Sequence, residues 1–346
     1  MKVYHFALLF LIFFLCNIIK TDALIGRLKE FEKEKGEIES SLITAVSDVA
    51  DYLAETGPYG TGTINKNEAL TTFFASLYSS LGIISDKSAQ AEIEIYIPVI
   101  LLCDIDGYYV YYFNEHEAED GNIYIERIWS EKMPYSYEDD YFIYRFTLNN
   151  MVYIYDKHNI LNHGDRFLYV DYKEYAKNPA YKEPELKYKD CILFNENSFE
   201  TVKKTAIINR LEEVMAYYTS RHNHIASRQG ITYSFLFPYG TENEWANYID
   251  DVCLLVVFQG YPYGPDKNYI YNKVISAGAN ILKRSRYYVE EKSWYKLAHR
   301  QGCEKITEST LLLEETFDSI EECVGLGAYC CECIEHGARV PVLEWE

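Results

Sequence analysis

An uncharged apolar run lies near the start of the chain, at residues 3–19. In a helix that rises about 1.5 Å per residue, this run spans about 25 Å, slightly less than the roughly 30 Å hydrocarbon core of a bilayer. Lys2 and Lys20 bracket the run, and their long side chains can reach outward to water. The pattern predicts a transmembrane anchor over residues 1–22. Small residues at positions 21 and 23 leave a cleaved signal peptide as the alternative.

The next segment, residues 23–57, has apolar residues at helical spacing. They recur at spacings near three and four and are Leu24, Leu28, Phe31, Ile38, Leu42, Ala45, Val49 and Leu53. The spacing predicts a stalk helix that continues the anchor and ends near the breaker sequence at 57–60. Anchor and stalk together make one predicted helix of about fifty residues, roughly 75 Å long. The apolar stripe from Leu28 to Leu53 is a surface on which helices of other protein subunits can pack.

The pattern over residues 58–290 predicts a head domain of the α+β class with a mixed or antiparallel sheet. Residues 92–103 alternate and then become wholly apolar, which is typical of a strand covered on both faces. Turn sequences such as Asp-Gly at 106–107 separate the strands. The predicted strands are 92–103, 108–113, 123–130, 142–148, 151–156, 231–238, 252–259 and 286–289, and the predicted helices are 67–81, 198–224, 242–249 and 269–282.

Charge and motifs exclude several functions. Lys and Arg total 33 against 53 Asp and Glu, which gives a net charge of −20. A nucleic-acid groove needs clustered basic residues to displace counterions, so no nucleic-acid partner is expected. The sequence also lacks the motifs of nucleophile elbows, zinc proteases, phosphate-binding loops and dinucleotide folds. No catalytic residue and no organic cofactor are therefore predicted, and the chain is expected not to be an enzyme.

Cysteines crowd the C-terminal end, where five of the nine fall within the last 44 residues. His299 and Cys303 form an H-x3-C pair, and Cys330 and Cys333 form a C-x2-C pair after 26 intervening residues. Tetrahedral zinc takes four nitrogen or sulfur ligands, which usually arrive as two such pairs. The spacing predicts a structural Zn²⁺ site at His299, Cys303, Cys330 and Cys333, with Cys331 as a bystander. Disulfide bonds are the alternative, although five thiols cannot all pair among themselves.

The same stretch resembles the Ada-type metal-binding module. The features that it shares with that family are a ligand pair spaced by three, an F-x-S-x-E-E helix start and a Gly-aromatic step into C-x2-C, which fall at 299–303, 317–322 and 327–333. The resemblance implies a small zinc-ribbon-like module over residues 291–346. His299 stands where the DNA-repair member of the family has a cysteine that accepts a methyl group, so the resemblance does not imply methyl transfer.

The overall order of one span, a helical stalk and a β-rich head resembles pilin-like and pseudopilin-like proteins, including minor subunits of Tad-type pilus or conjugation machinery. The resemblance implies a membrane-anchored structural or assembly component of a surface or secretion apparatus. We expect a single-pass membrane protein with an extracytoplasmic body, because long domains are translocated largely regardless of the positive charges near a span. The alternative is a ligand-binding sensor head, since the strand-turn-strand at 101–112 resembles extracytoplasmic sensor domains.

Overall fold

The computed structural model describes residues 3–56, 64–118, 121–161, 165–172, 175, 191–228, 230–231, 233, 251–264, 267–279, 287–300, 303, 305–306, 310–317, 320–334 and 340. The chain divides into two compact units, Met1–Leu282 and Lys283–Glu346. The described part of the first unit contains a five-stranded and a four-stranded antiparallel sheet with long helices, and that of the second contains a four-stranded mixed sheet. The α+β class predicted from the sequence is therefore confirmed.

One continuous helix, α1 (Val3–Thr56), runs for 54 residues and ends just before the breaker sequence. The prediction of a single long helix is thus confirmed. From Ile38 onward its apolar stripe is buried inside the first unit, where it packs against helix α2 (Lys66–Ser80) and the five-stranded sheet. This packing explains why the second half of α1 is stable, since most helical stability in proteins comes from burying an apolar face.

The anchor prediction at the start of α1 is wrong. In the part of the chain whose side chains the structure describes, no helix contains a stretch long and apolar enough to cross a membrane. The charged residues Lys20, Asp22 and Arg27 follow the apolar run within the same helix. The predicted localisation, a single-pass membrane protein with an extracytoplasmic body, is corrected by this finding.

Two side-chain caps set the start of the next helices. The Asn65 side chain accepts hydrogen bonds from backbone N–H groups in the first turn of α2, and Asp86 does the same for α3 (Lys87–Ile95). Helix α3 occupies the first part of the segment that was predicted as a strand from residue 92. Strand β1 (Val99–Asp104) begins only after Pro98. The strand predicted from residue 92 is therefore wrong before Pro98. The cap at Asp86 stabilises a helix there instead.

The five-stranded sheet has the order β3-β2-β1-β8-β9. Its strands are β1 (Val99–Asp104), β2 (Gly107–Glu117), β3 (Ile123–Trp129), β8 (Cys253–Tyr263) and β9 (Tyr269–Gly278). The helix predicted at 269–282 is wrong, because residues 269–278 pair with β8 along almost their whole length. Two further predictions cannot be compared with the structure. The predicted helix at 242–249 lies outside the described residues, and so does the predicted strand at 231–238 except for residues 231 and 233.

Strand β1 is the central strand of this sheet and is covered on both faces, as its wholly apolar sequence predicts. Val99, Leu101 and Cys103 point into one core cluster, which the four-stranded sheet and a later helix complete. Ile100 and Leu102 point into the other cluster, which α1 and α2 complete. Side chains alternate across a strand, so consecutive residues of β1 supply two different cores.

The four-stranded sheet has the order β4-β5-β6-β7. Its strands are β4 (Tyr135–Glu138), β5 (Phe142–Phe146), β6 (Met151–Asp156) and β7 (Phe167–Asp171). One face of this sheet packs on helix α4 (Glu196–Arg228), which follows a short 3-10 turn at Ile192–Phe194. The opposite face carries side chains that are exposed or only half-buried.

The second unit is a small mixed sheet in the order β12-β10-β11-β13. Its elements are β10 (Tyr287–Glu291), β11 (Lys296–Arg300), β12 (Leu312–Phe317), helix α5 (Ile320–Gly325) and β13 (Ala328–Cys330). The fully buried apolar side chains of its core are Val289, Ala298, Cys323, Ala328, Cys330 and Ile334. So small a core is typical of modules that a metal or a disulfide stabilises.

Candidate metal centre

The ends of two neighbouring strands bring the metal-binding residues together. Strand β11 pairs with β13 in parallel, so the carboxyl ends of both strands lie at one edge of the sheet. His299 lies near the end of β11 and Cys303 follows it, while Cys331 and Cys333 follow β13. The Ile334 N–H donates to the Cys331 carbonyl over 3.0 Å, and this turn carries Cys333 back toward the site.

The ligand atoms of His299, Cys303, Cys331 and Cys333 all lie within 4.8 Å of one another. The His299 Nδ1 atom is 3.3 Å from the Cys303 sulfur, and that sulfur is 3.9 Å from the Cys331 sulfur. In tetrahedral zinc, bond lengths of about 2.0 Å to nitrogen and about 2.3 Å to sulfur place ligand atoms roughly 3.6 to 3.8 Å apart. The cluster therefore has the dimensions of a tetrahedral site and can hold a metal ion.

The structure brings together three of the four predicted ligands and places Cys331 where Cys330 was expected. Cys330 pairs with Ala298 in the parallel register of β13 with β11, and both side chains are buried in the core of the unit. His299, the next residue along β11, points to the opposite face. The Cys331 N–H donates to the Ala298 carbonyl over 2.9 Å, which extends the pairing by one residue. Cys331 consequently shares the face of His299, and the ligand pair is C-x-C.

Glu290 is a member of the site that the sequence did not reveal. It pairs with Leu297 in the register of β10 with β11, so His299 is its diagonal neighbour on the same face. The Glu290 carboxylate lies 3.1 Å from the His299 Nε2 atom, and both side chains are buried. A hydrogen bond from Nε2–H to this carboxylate leaves Nδ1 as the metal-binding atom, which is the nitrogen that faces Cys303.

Nearby charges favour the ionised forms that metal binding needs. Burial raises the pKa of the Glu290 carboxyl, but hydrogen bonds from Lys292 and His299 outweigh burial and hold the pKa below its usual value. Burial likewise raises the pKa of the Cys331 thiol, yet hydrogen bonds from Cys333 and Cys303 and the charge of Lys305 bring it below its usual value. Since the thiolate is the form that binds a metal, Cys331 is electrostatically prepared to be a ligand.

Cys323 behaves in the opposite way. Burial is the main cause that raises the pKa of its thiol to about 11, so this cysteine stays protonated and serves as an apolar core residue. The structure contains no disulfide bond among the nine cysteines, all of which lie in described parts of the chain. The Cys303 and Cys331 sulfurs are 3.9 Å apart, which is longer than the S–S bond of about 2.0 Å.

Three thiolates and one imidazole make a closed set of four ligands. Such a donor set fits zinc, whose structural sites use Cys3His, and leaves no coordination position for a substrate. The chemistry that this arrangement supports is the cross-linking of two chain segments, residues 299–303 and 331–333, by one metal ion. The site is thus compatible with Zn²⁺ as the bound ion.

The contact between Glu290 and His299 leads to a first prediction. We expect Glu290→Ala to weaken zinc binding about 10- to 100-fold, because the imidazole loses the group that fixes its tautomer and orientation. Glu290→Gln should lose less, since its amide oxygen still accepts the Nε2–H. Competition against a chromophoric chelator measures these affinities. Glu291→Ala, at the exposed neighbouring position, is the matched control. Wild-type affinity in Glu290→Ala would contradict the assignment.

Comparison with known proteins identifies no relative of this chain. No family model, no curated protein and no solved structure matches this chain. The resemblances to the Ada-type module and to pilin-like proteins therefore stay predictions, and the function has to be inferred from the geometry itself.

Proposed function

We propose that the second unit is a structural zinc module of the zinc-ribbon-like kind and that the whole chain is a non-catalytic assembly component. The observation that carries the proposal is the closed Cys3His cluster at His299, Cys303, Cys331 and Cys333. A unit with so small a core gains stability when a metal joins segments that are far apart in the sequence. The metal fixes one face of this unit without taking part in a reaction.

The first half of α1 supports the assembly role. From Phe10 to Leu28 this helix exposes large apolar side chains on all sides: Phe10, Leu11, Ile12, Phe13, Phe14, Leu15, Ile18, Ile19, Leu24, Ile25 and Leu28. Contiguous apolar surface of this kind marks a site of interaction with another macromolecule. We assign this surface, the α1 apolar segment, to helix packing between copies of this chain.

Metal analysis tests the zinc module. We expect the purified full-length chain to contain about one zinc, because three thiolates and one imidazole bind a single tetrahedral ion. Removal of the metal by a strong chelator under reducing conditions should make residues 283–346 sensitive to limited proteolysis, while the first unit stays resistant. A metal-free chain whose second unit resists the protease equally well would refute the structural role.

Crosslinking tests the assembly role. We expect an amine-reactive crosslinker to give a ladder of oligomers from the wild-type chain, because packing of the α1 apolar segment removes apolar surface from water. The double variant Leu11→Glu/Ile18→Glu should abolish the ladder. Ile84→Glu, which changes an exposed apolar residue after α2, should leave the ladder intact. A wild-type chain that yields only monomer speaks against assembly through this segment.

A further inference from the structure

The outer face of the four-stranded sheet carries two rows of large side chains. Cross-strand pairing aligns Arg145, Tyr153 and Tyr169 in one row and Ile143, Tyr155 and Phe167 in the next. Their neighbours in sequence point inward to the core, so the alternation of β5, β6 and β7 directs these side chains outward. The six residues are called the aromatic face below.

The rings of the aromatic face are packed against each other across the strands. The centroids of Tyr153 and Tyr169 are 4.1 Å apart with nearly parallel planes, and those of Tyr155 and Phe167 are 4.7 Å apart. Phe167 nevertheless keeps 70% of its surface exposed, and Tyr169 keeps 52%. Paired rings lose side-chain freedom before any ligand arrives, so a ligand that stacks on them pays a smaller entropy cost.

A groove of about 330 Å³ runs between strand β5 and these rings. The residues that line it are Ile143, Arg145, Tyr153, Ile154, Tyr155 and Phe167. Its volume is within the range of small-molecule sites, which are mostly apolar with a few polar groups that fix orientation. Within the described part of the chain, the Arg145 guanidinium makes no ion pair or hydrogen bond, so its charge is available to a ligand.

We propose that this groove binds an acidic oligosaccharide. The C–H groups of a pyranose ring are weakly positive and lie well against the electron-rich face of Tyr or Phe. The two rows are separated by roughly 6.6 Å along the strands, so an oligosaccharide of two or three units is long enough to contact both. The Arg145 guanidinium pairs with a sugar carboxylate through two parallel hydrogen bonds. The inference rests on the first unit alone and is independent of the zinc module.

A nucleic acid fits the same face less well. Stacking of bases on sheet aromatics occurs in single-strand binding proteins, but those proteins also line the path of every phosphate with basic residues. Among the residues that line the groove, Arg145 is the one cation, and the chain as a whole has a net charge of −20. One cation on an acidic protein matches a ligand with an occasional carboxylate, not one with a charge at every unit.

Calorimetric titration of the full-length chain tests the proposal with three probes: glucuronosyl-xylobiose, a trisaccharide with one carboxylate, its neutral counterpart xylotriose, and a short single-stranded DNA. We expect saturable binding of glucuronosyl-xylobiose, at least five-fold weaker binding of xylotriose and none of the DNA. Tyr153→Ala should weaken glucuronosyl-xylobiose binding about ten-fold through loss of stacking. Arg145→Gln should reduce binding of the acidic sugar to that of the neutral one.

Tyr217→Ala is the control, because Tyr217 is an exposed tyrosine on α4, away from the aromatic face. It should leave glucuronosyl-xylobiose binding unchanged. Thermal unfolding of each variant checks that the fold is retained, which is expected for exposed positions. Absence of glucuronosyl-xylobiose binding, equal binding of the neutral sugar, preferential binding of DNA, or unchanged binding by Tyr153→Ala would each overturn the proposal.

Discussion

Replacing Cys331 by Ala is expected to abolish stoichiometric zinc binding, whereas replacing Cys330 by Ala should leave it intact. Cys331 is one of the four residues whose ligand atoms lie within 4.8 Å of one another. Its loss leaves two thiolates and one imidazole, and it opens the site to water. Structural zinc contributes on the order of 10 kcal/mol to the folding of small modules, so the loss should also unfold the second unit. Zinc content and the charge-transfer bands of the cobalt-substituted chain measure the outcome.

Cys330→Ala is a control that differs from the test by one position in the sequence. The Cys330 sulfur belongs to the core with Ala298 and Val289. Its removal leaves a small cavity, which should lower stability by about 1 kcal/mol without changing the zinc content. Cobalt bands of unchanged intensity are expected for Cys330→Ala and none for Cys331→Ala. Should the two variants exchange these results, C-x2-C would be the true ligand pair.

The ligand pattern shows how far sequence alone can specify a site. Spacing alone predicts His299, Cys303 and Cys333 as ligands. Ligands that are close in the sequence can reach one metal ion through a short turn. Of Cys330 and Cys331, only Cys330 has the usual C-x2-C spacing to Cys333. The structure nevertheless places Cys331 in the cluster, because the two side chains point to opposite faces of the strand. That face depends on the register of β13 with β11, which pairs Ala298 with Cys330. A pairing between residues 32 positions apart cannot be inferred from local spacing.

The fold shows the same limit. The continuous helix α1 and the two-faced strand β1 were predictable, because each has a long and unambiguous apolar pattern. The segment at 269–278 has apolar residues at spacings that suit a helix, yet it forms β9 because the edge of β8 is available to it. Tertiary pairing overrides local preference in such segments.

Arg127 has the largest expected effect on the stability of the first unit. Its side chain is only 10% exposed, and its Nη1 atom lies 3.2 Å from a carboxylate oxygen of Glu94. Its Nη2 atom donates to the Glu94 and Ile97 carbonyls, each over 2.6 Å. The guanidinium also lies 4.3 Å from the centre of the Phe113 ring. Burial lowers the pKa of this guanidinium, and the charge of Glu94 opposes that effect.

We expect Arg127→Met to destabilise the first unit by about 2 to 3 kcal/mol, because the Ile97 carbonyl loses the guanidinium that donates to it and the half-buried Glu94 carboxylate loses its cation. Chemical denaturation followed by circular dichroism measures this loss. Arg127→Lys should recover only part of it, since an ammonium cannot reproduce the planar fork that reaches both carbonyls.

Lys33→Met is the control, because the Lys33 side chain is 75% exposed and pairs with Glu37 one helical turn away. Exposed pairs of this kind contribute at most about 0.5 kcal/mol, so this variant should unfold close to the wild-type midpoint. Equal midpoints for the two methionine variants would mean that the Arg127 network adds no more than a surface ion pair. In that case the stability of the region would come from the apolar packing of α1 and α2 on the sheet.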